Sequence, residues 1–140
     1  MLSQVYHSTF NEVQARQLCG MSMLPIKTRV KGPSAQASPD QPDIIDETLD
    51  YFKANILFRN FEIKGPADRL LIYLTWYTKA ALTAILKSSK ADAEKVLYQL
   101  AIENFAIPGD RNFPFGGFFS NPTNRQEAGT PLLLLCCCFS

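Results

Sequence analysis

The sequence has few of the residues that build most catalytic and metal sites. It contains four cysteines and one histidine in 140 residues. It has no GxGxxG or Walker loop, no HExxH and no CxxC pair with zinc-ligand spacing. The single histidine, His7, lies in a polar N-terminal segment without an evident catalytic partner. The sequence therefore predicts a protein that is not an enzyme and that binds no metal or cofactor.

The chain also lacks an excess of charge and a disulfide framework. Lys and Arg number 14 against 13 Asp and Glu, so the net charge of +1 gives no electrostatic basis for a nucleic-acid or membrane partner. Cys19 is isolated, and Cys136 to Cys138 are consecutive, so bridges among those three would be strained. This usage favours a reducing compartment. Because residues 1–17 hold no apolar core of signal-peptide length, we expect a cytoplasmic protein.

One apolar stretch, residues 66–88, is expected to organise the fold. Its apolar side chains occupy every face of a helix, which is typical of a buried helix. The uninterrupted apolar run is shorter than the roughly 18 to 20 residues that a bilayer requires, and Lys79 lies near its middle. Gly65 and Pro66 give it a turn and a proline suited to the first helical position. The stretch predicts the central helix of a small soluble bundle.

Two amphipathic helices are predicted around this central helix. The first begins at Asp43 as N-cap and ends near Asn60, and its apolar face comprises Ile44, Ile45, Leu49, Phe52, Ile56, Leu57 and Phe58. The second of them, which follows the central helix in the chain, spans Ala91 to Asn104. No helix is expected after Glu127. The predicted fold class is all-α, with one central helix surrounded by the others, an irregular N-terminal strap and an aromatic loop.

An acidic cluster at the start of the first helix admits two interpretations. Asp43, Asp46, Glu47 and Asp50 offer oxygen ligands of the kind that hard cations prefer. Capping and the helix dipole already explain the first three carboxylates. We therefore favour the structural interpretation of this cluster over a metal site.

The aromatic loop holds the strongest candidate interaction residues. Residues 105–122 contain five phenylalanines among prolines and glycines, so the segment cannot be regular. These rings either fold back on the helices or form a docking surface for another chain. A second apolar patch, residues 18–26, crosses the surface as a strap or contacts a partner through its methionines. The candidate partner interface comprises Phe113, Phe115, Phe118, Phe119, Met23 and Lys27.

Short sequence blocks along the chain carry a family resemblance. In order they are Tyr6-His7-Ser8, Leu24-Pro25-Ile26, Lys31-Gly32-Pro33, Tyr51-Phe52-Lys53-Ala54-Asn55, Phe61-Glu62-Ile63-Lys64, Ala67-Asp68-Arg69, Leu71-Ile72-Tyr73, Asn104-Phe105, Ile107-Pro108-Gly109, Phe113-Pro114 and Asn124-x-Gln126-Glu127. Together they resemble the family of subunit 3, the p21 subunit, of the actin-related protein 2/3 complex. The resemblance runs from about Tyr6 to Glu127, which is most of the chain.

The resemblance implies a non-catalytic helical subunit with no cofactor. It implies a place in a seven-subunit assembly, against the actin-related protein of the third type, that nucleates branched actin filaments. The implied partners are the other subunits and the actin filament, with no nucleic acid and no membrane. The implied location is the actin cytoskeleton of the cytoplasm, including cell projections.

The end of the chain departs from the family pattern. Family members continue past the position of Glu127 with further helical sequence, whereas this chain reads AGTPLLLLCCCFS. The predicted division is an incomplete subunit 3 domain over residues 1–127 and a divergent hydrophobic tail over residues 128–140. We expect the altered end to leave part of the central helix and of residues 105–119 uncovered, which would weaken folding or assembly. The last four residues fit a prenylation pattern only loosely, so an unmodified tail is the preferred interpretation.

A different class of function is the main alternative. A free-standing small helical protein could bind an apolar ligand in a pocket lined by Trp76, Tyr77 and the phenylalanines, or associate with a membrane through its tail. Co-purification distinguishes a complex subunit from a ligand carrier, because a complex subunit brings down actin-related proteins and a ligand carrier does not.

Overall fold

A computed structural model describes residues 5–57, 61–103 and 105–138, with side chains described as far as residue 131. The elements in chain order are β1 (Gln17–Leu18), β2 (Met21–Ser22), α1 (Ile44–Asn55), α2 (Pro66–Leu86), α3 (Ala93–Ile102) and α4 (Arg125–Cys138). These helices account for about 41% of the chain. The fold is thus mostly helical, as predicted.

A small antiparallel sheet corrects the prediction of a purely all-α fold. Gln17 pairs with Ser22 and Leu18 with Met21. The two residues between the strands both have positive φ, 51° at Cys19 and 80° at Gly20. Such φ values match the right-handed twist of a two-residue hairpin. The sequence did not reveal this hairpin because two-residue strands are too short to show an alternating pattern.

Helix α2 supplies the centre of the core. Helices α1 and α3 and strand β2 pack against it. Its largest buried side chains are at most 1% exposed, and these are Leu70, Leu71, Tyr73, Leu74 and Tyr77. Pro66 occupies the start of the helix as predicted.

The prediction that α2 is buried on every face is wrong toward its C-terminus. Leu82 is 44% exposed and Leu86 is 86% exposed. The reason is that the elements packed around the earlier turns of α2 leave its last turns partly open within the described residues.

The prediction that Asp43 caps the start of α1 is confirmed, and a reciprocal bond adds to the cap. Asp43 Oδ1 accepts hydrogen bonds from the backbone N–H groups of Ile45 and Asp46, both at 3.0 Å. Asp46 Oδ2 accepts in return from the Asp43 N–H at 2.9 Å. This reciprocal capping box satisfies donors that the first helical turn leaves without partners. The helix ends at Asn55, earlier than predicted, and Phe58 and Asn60 lie outside the described residues.

The predicted apolar face of α1 is partly wrong. Leu49 is 55% exposed and Leu57 is 83% exposed, whereas Glu47 and Thr48 are buried with Ile44. The Thr48 hydroxyl donates to the Ile44 carbonyl at 2.7 Å, so burial leaves it satisfied. The buried Glu47 carboxylate accepts hydrogen bonds from residues that are described below.

Loss of the α1 cap should destabilise the protein measurably. Asp43 Oδ2 also accepts from the Lys27 N–H at 2.7 Å, so Asp43→Ala removes a tether of the N-terminal strap as well as the cap. We expect the free energy of unfolding to fall by about 1–2 kcal/mol in urea titrations. Asp50→Ala, on an exposed position of the same helix, is the matched control and should change it by less than about 0.5 kcal/mol. Equal effects of the two substitutions would contradict the capping role.

Helix α3 lies within its predicted range, while α4 corrects a prediction. Ala101 of α3 is buried, and Asn104 lies outside the described residues. The expectation of no helix after Glu127 is wrong, since α4 runs through this point and packs against α3. The Asn124 side chain accepts from the Glu127 N–H at 2.8 Å, which is the N-cap signal that sequence reasoning missed. Pro131 lies inside α4 although it cannot donate a backbone hydrogen bond.

The tail interpretations concern positions outside the described side chains. Residues 132–138 are described only as helical backbone, and residues 139–140 lie outside the described residues. The division of the chain at residue 127 stays a prediction. Across the described ranges, the helices lack the combined length and apolar character that a membrane span requires.

Candidate functional site

The aromatic loop, residues 105–122, packs its phenylalanines into a cluster. Phe113 and Phe119 are each 7% exposed, and their ring centroids lie 5.2 Å apart. Phe115 is half-buried, 5.7 Å from Phe113. Phe118 is 55% exposed. Most of the rings fold back on the helices, which is the first of the two interpretations of this loop. Phe118 remains accessible to solvent.

This cluster packs against Trp76 of α2. Its ring centroid lies 4.5 Å from that of Phe105 and 5.6 Å from that of Phe115. The Trp76–Phe115 pair is edge-to-face and the Trp76–Phe105 pair is tilted. Aromatic pairs in the edge-to-face arrangement stabilise by about 0.5–1.5 kcal/mol beyond burial. The aromatic residues therefore fix the loop to one side of α2.

Polar contacts hold the same loop to the hairpin. Arg69 Nε donates to the Phe118 carbonyl at 2.7 Å, and Arg69 Nη1 donates to the Gly20 carbonyl at 3.2 Å. The Ser120 N–H donates to the Cys19 carbonyl at 3.2 Å. The loop is thus positioned by both apolar and polar contacts, although residues 105–122 themselves form no helix or strand.

A cavity of about 470 Å³ opens beside this cluster. Its walls come from the end of α1, the segment that precedes α2, α2 itself and the aromatic loop: Asn55, Ile56, Phe61, Glu62, Ile63, Ile72, Thr75, Trp76, Lys79, Phe115, Phe118 and Phe119. The lining is mostly apolar, with Glu62 and Lys79 as its charged members. Such a cavity can accept apolar side chains of a partner while its charged groups fix orientation.

The candidate interface residues do not form one surface. Phe115, Phe118 and Phe119 line the cavity, and Phe113 lies behind them in the core. Met23 packs half-buried against the core. Lys27 is exposed and its Nζ lies 2.5 Å from Asp46 Oδ2. The structure thus brings the four phenylalanines together and places Lys27 at the start of α1.

A second site, absent from the sequence predictions, joins residues 7–9 to two buried carboxylates. These residues belong to the N-terminal strap, by which we mean the segment that precedes α1. Asp68 of α2 is fully buried and accepts from the Ser8 N–H at 2.7 Å and the Lys64 N–H at 3.0 Å. His7 Nδ1 lies 2.7 Å from Asp68 Oδ2. His7 therefore lies in an ordered segment with a partner, contrary to the expectation for a polar terminus.

Glu47 of α1 completes this site. It is 7% exposed and accepts from the Ser8 hydroxyl at 2.6 Å. It also accepts from the Thr9 N–H at 2.7 Å and the Thr9 hydroxyl at 2.8 Å. We refer to His7, Ser8, Thr9, Glu47 and Asp68 as the N-terminal clasp. Its arrangement satisfies the buried carboxylates with backbone N–H groups, hydroxyls and the His7 ring, and it explains why Glu47 turns inward on α1.

The hydrogen bonds of the clasp join the N-terminal strap to α1 and α2. Within the described residues, the His, Cys, Asp and Glu side chains form no group suited to hold a metal ion.

Cys19 is buried, and burial together with the nearby Glu127 carboxylate raises the pKa of its thiol to about 11. A thiol with this pKa stays protonated near neutral pH and is a poor nucleophile.

Electrostatics make the clasp sensitive to acid. Burial alone would raise the pKa of Asp68, but hydrogen bonds from the Ser8 and Lys64 N–H groups, His7 and Asn11 lower it below its ordinary value of 3.8. A carboxyl whose pKa is depressed on folding stabilises the folded state when ionised. That stabilisation is present above pH 3.8 and is lost as the pH falls through the folded pKa.

The pH dependence of stability should report this carboxylate. Between neutral pH and about pH 3, we expect the free energy of unfolding to fall in urea titrations, most steeply at the acidic end. Asp68→Asn keeps the shape but removes the charge, so its curve should be lower at neutral pH and flatter below pH 3.8. Glu62→Gln, at an exposed position, is the matched control and should follow the unaltered protein. Parallel curves for Asp68→Asn and the control would contradict the assignment.

Comparison with known proteins identifies the family. The family model described as P21-Arc, the ARP2/3 complex ARPC3 (21 kDa) subunit, matches residues 3–133. The chain belongs to this family. The match covers α1, α2 and α3, the aromatic loop and the start of α4, so the family resemblance seen in the sequence is confirmed.

Curated relatives agree with the family match. Each of three is called actin-related protein 2/3 complex subunit 3. The Dictyostelium discoideum protein is 51% identical over 128 residues, covering 90% of this chain and 74% of the relative. The Arabidopsis thaliana protein is 43% identical, covering 89% and 72%. The Schizosaccharomyces pombe protein is 45% identical, covering 88% and 71%. The alternative of a free-standing ligand carrier receives no support from these relatives.

Proposed function

We propose that this chain is a non-catalytic structural subunit of the actin-related protein 2/3 complex and supports nucleation of branched actin filaments. The observation that carries the proposal is the family match over residues 3–133. The fold is compatible with it, because the matched part contains the α2 core and the clasp that ties the N-terminal strap to α1 and α2.

The proposed partners are the other subunits of the complex, including the actin-related protein of the third type, and through them the actin filament. The proposed location is the actin cytoskeleton in the cytoplasm. Phe118 and Phe115 are the members of the candidate interface best suited to meet a neighbour, since both line an open cavity. Phe113 and Phe119 act behind them by holding the aromatic loop in place.

Co-purification tests this function. The tagged full chain is expressed in cells that contain the complex, recovered from cytosol, and its partners are identified by mass spectrometry. We expect both actin-related proteins and the remaining subunits in proportion to the chain, and none of them with the tag alone. Recovery of chaperones without actin-related proteins would contradict the proposal.

A further inference from the structure

Helix α2 begins without a side-chain cap of its own. Its N-cap residue, Gly65, has no side chain that could accept a hydrogen bond. The Asp68 N–H, at the third helical position, is a donor that an N-cap side chain commonly satisfies. In this chain the acceptor comes from far away in the sequence, because Asn11 Oδ1 accepts from the Asp68 N–H at 3.0 Å. The start of α2 therefore depends on a residue of the N-terminal strap.

Gly65 leaves the space that this long-range cap occupies. A Cβ atom at position 65 would lie 2.7 Å from Asn11 Oδ1 and 2.9 Å from Asn11 Cγ, which is closer than real Cβ contacts. The backbone of Gly65 is extended, with a φ of −169°, so any residue could adopt it. Glycine is required here because Asn11 approaches closely and not because of the backbone conformation.

Residues 6–11 of the strap, which we call the latch, are attached to the helices through side chains. Asn55 of α1 holds the Tyr6 backbone at both ends, since its Oδ1 accepts from the Tyr6 N–H at 3.1 Å and its Nδ2 donates to the Tyr6 carbonyl at 3.0 Å. Among the described residues, no backbone-to-backbone hydrogen bond joins the latch to another element. Segments attached outside the regular elements are those that open at free energies below that of global unfolding.

The latch contacts one wall of the cavity. Asn55, whose side chain holds the latch, lines the cavity together with Phe61. The ring centroids of His7 and Phe61 lie 5.0 Å apart. Two residues of this wall therefore contact the latch directly.

Asp68 joins the latch to the rest of this wall. Residues 61–64, which we call the wall segment, form no helix or strand. The Lys64 N–H at the end of the wall segment donates to Asp68 Oδ2 at 3.0 Å. His7 Nδ1 lies 2.7 Å from the same oxygen. The wall segment is thus held by groups that also hold the latch.

We propose that the latch is a releasable conformational device: while attached, it caps α2 and fixes the wall segment, and its release changes the shape of the cavity beside Trp76. Order-to-disorder transitions of such segments are a common form of conformational switch. Anything that displaced residues 6–11 would then alter the cavity without entering it. The device belongs to the chain by itself, so it stands or falls independently of the proposed function.

Gly65→Ala tests this device, because the added methyl group displaces Asn11 while the extended backbone accepts alanine. Gly129→Ala, where an added Cβ meets no atom within 4 Å, is the matched control. Amide hydrogen exchange is measured on the full chain, together with the fluorine signal of 5-fluorotryptophan at Trp76, the only tryptophan. In Gly65→Ala we expect exchange in the latch and the wall segment to quicken about tenfold and the Trp76 signal to shift. The control should show neither change.

The wall segment and Trp76 decide the outcome. Faster exchange in the latch with an unchanged wall segment and an unchanged Trp76 signal would overturn the inference. Unchanged exchange in the latch would overturn it as well. Asn11→Ala removes the same hydrogen bond without adding volume and is made in parallel, so that a folding failure of Gly65→Ala leaves the test intact. It must produce the same pattern, and its failure to do so would equally overturn the inference.

Discussion

Replacing Leu71 by alanine is expected to lower the free energy of unfolding by about 2–5 kcal/mol. Leu71 is 0% exposed and lies in the core cluster that α2 forms with the strap, the hairpin and the aromatic loop. The substitution removes apolar burial and leaves a cavity, because close-packed neighbours relax only partly. Since small domains are stable by only about 5–15 kcal/mol, the variant should lose a large share of its stability in urea titrations.

Leu86→Ala is the matched control for this experiment. The same substitution is made in the same helix, but Leu86 is 86% exposed. Its effect should stay within about 0.5 kcal/mol. A cost at position 86 as large as that at position 71 would show that the two leucines are equally buried in solution, which would contradict the described core.

Replacing Glu47 by alanine is expected to release the N-terminal strap. Its carboxylate accepts three hydrogen bonds from Ser8 and Thr9, and its removal leaves those donors without their partner. Hydrogen bonds to charged groups contribute about 1.5–3 kcal/mol each and are not additive, so we expect a loss of about 2–4 kcal/mol. Amide hydrogen exchange should quicken at Ser8 and Thr9 more than in the middle of α2.

Glu94→Ala is the control for this release. Glu94 is exposed in the first turn of α3, where it makes only a general contribution to the helix dipole. It should leave exchange at the strap unchanged. If Glu47→Ala changed neither stability nor exchange at Ser8 and Thr9, the clasp would not hold the strap to α1.

Local sequence signals were sufficient to predict where α1 and α2 begin. Asp43 predicted the N-cap of α1, and its hydrogen bonds with the Ile45 and Asp46 N–H groups confirm it. The reciprocal hydrogen bond from the Asp43 N–H to Asp46 became evident only in the structure. Gly65 and Pro66 predicted the start of α2. These features depend on residues only a few positions apart, so a single sequence contains them.

Contacts between distant residues were not predictable in this way. Nothing local to His7 or Ser8 indicates that Asp68, some sixty residues later, is their partner. The inward turn of Glu47 has the same cause, because its burial is tolerated only with donors from the strap. The clasp therefore became visible only when the fold brought its members together.

The C-terminal turns of α2 show a different limit of sequence-based prediction. Sequence reasoning interpreted an all-apolar helix as buried on every side, which is correct for Leu74 and Tyr77 and wrong for Leu82 and Leu86. A pattern shows that a face is apolar without showing what covers it. For the same reason the phenylalanines of the candidate interface divided into buried Phe113 and exposed Phe118 only in the structure.

The most direct test of the central claim is branch formation by the complex reconstituted with this chain. Purified complex containing the chain is compared with complex lacking this subunit, and branches per filament length are counted by fluorescence microscopy with the same activator. The proposed role predicts that the chain enters the complex stoichiometrically and raises branch density above that of the deficient complex. Stoichiometric entry with branch density no higher than that of the deficient complex would contradict it.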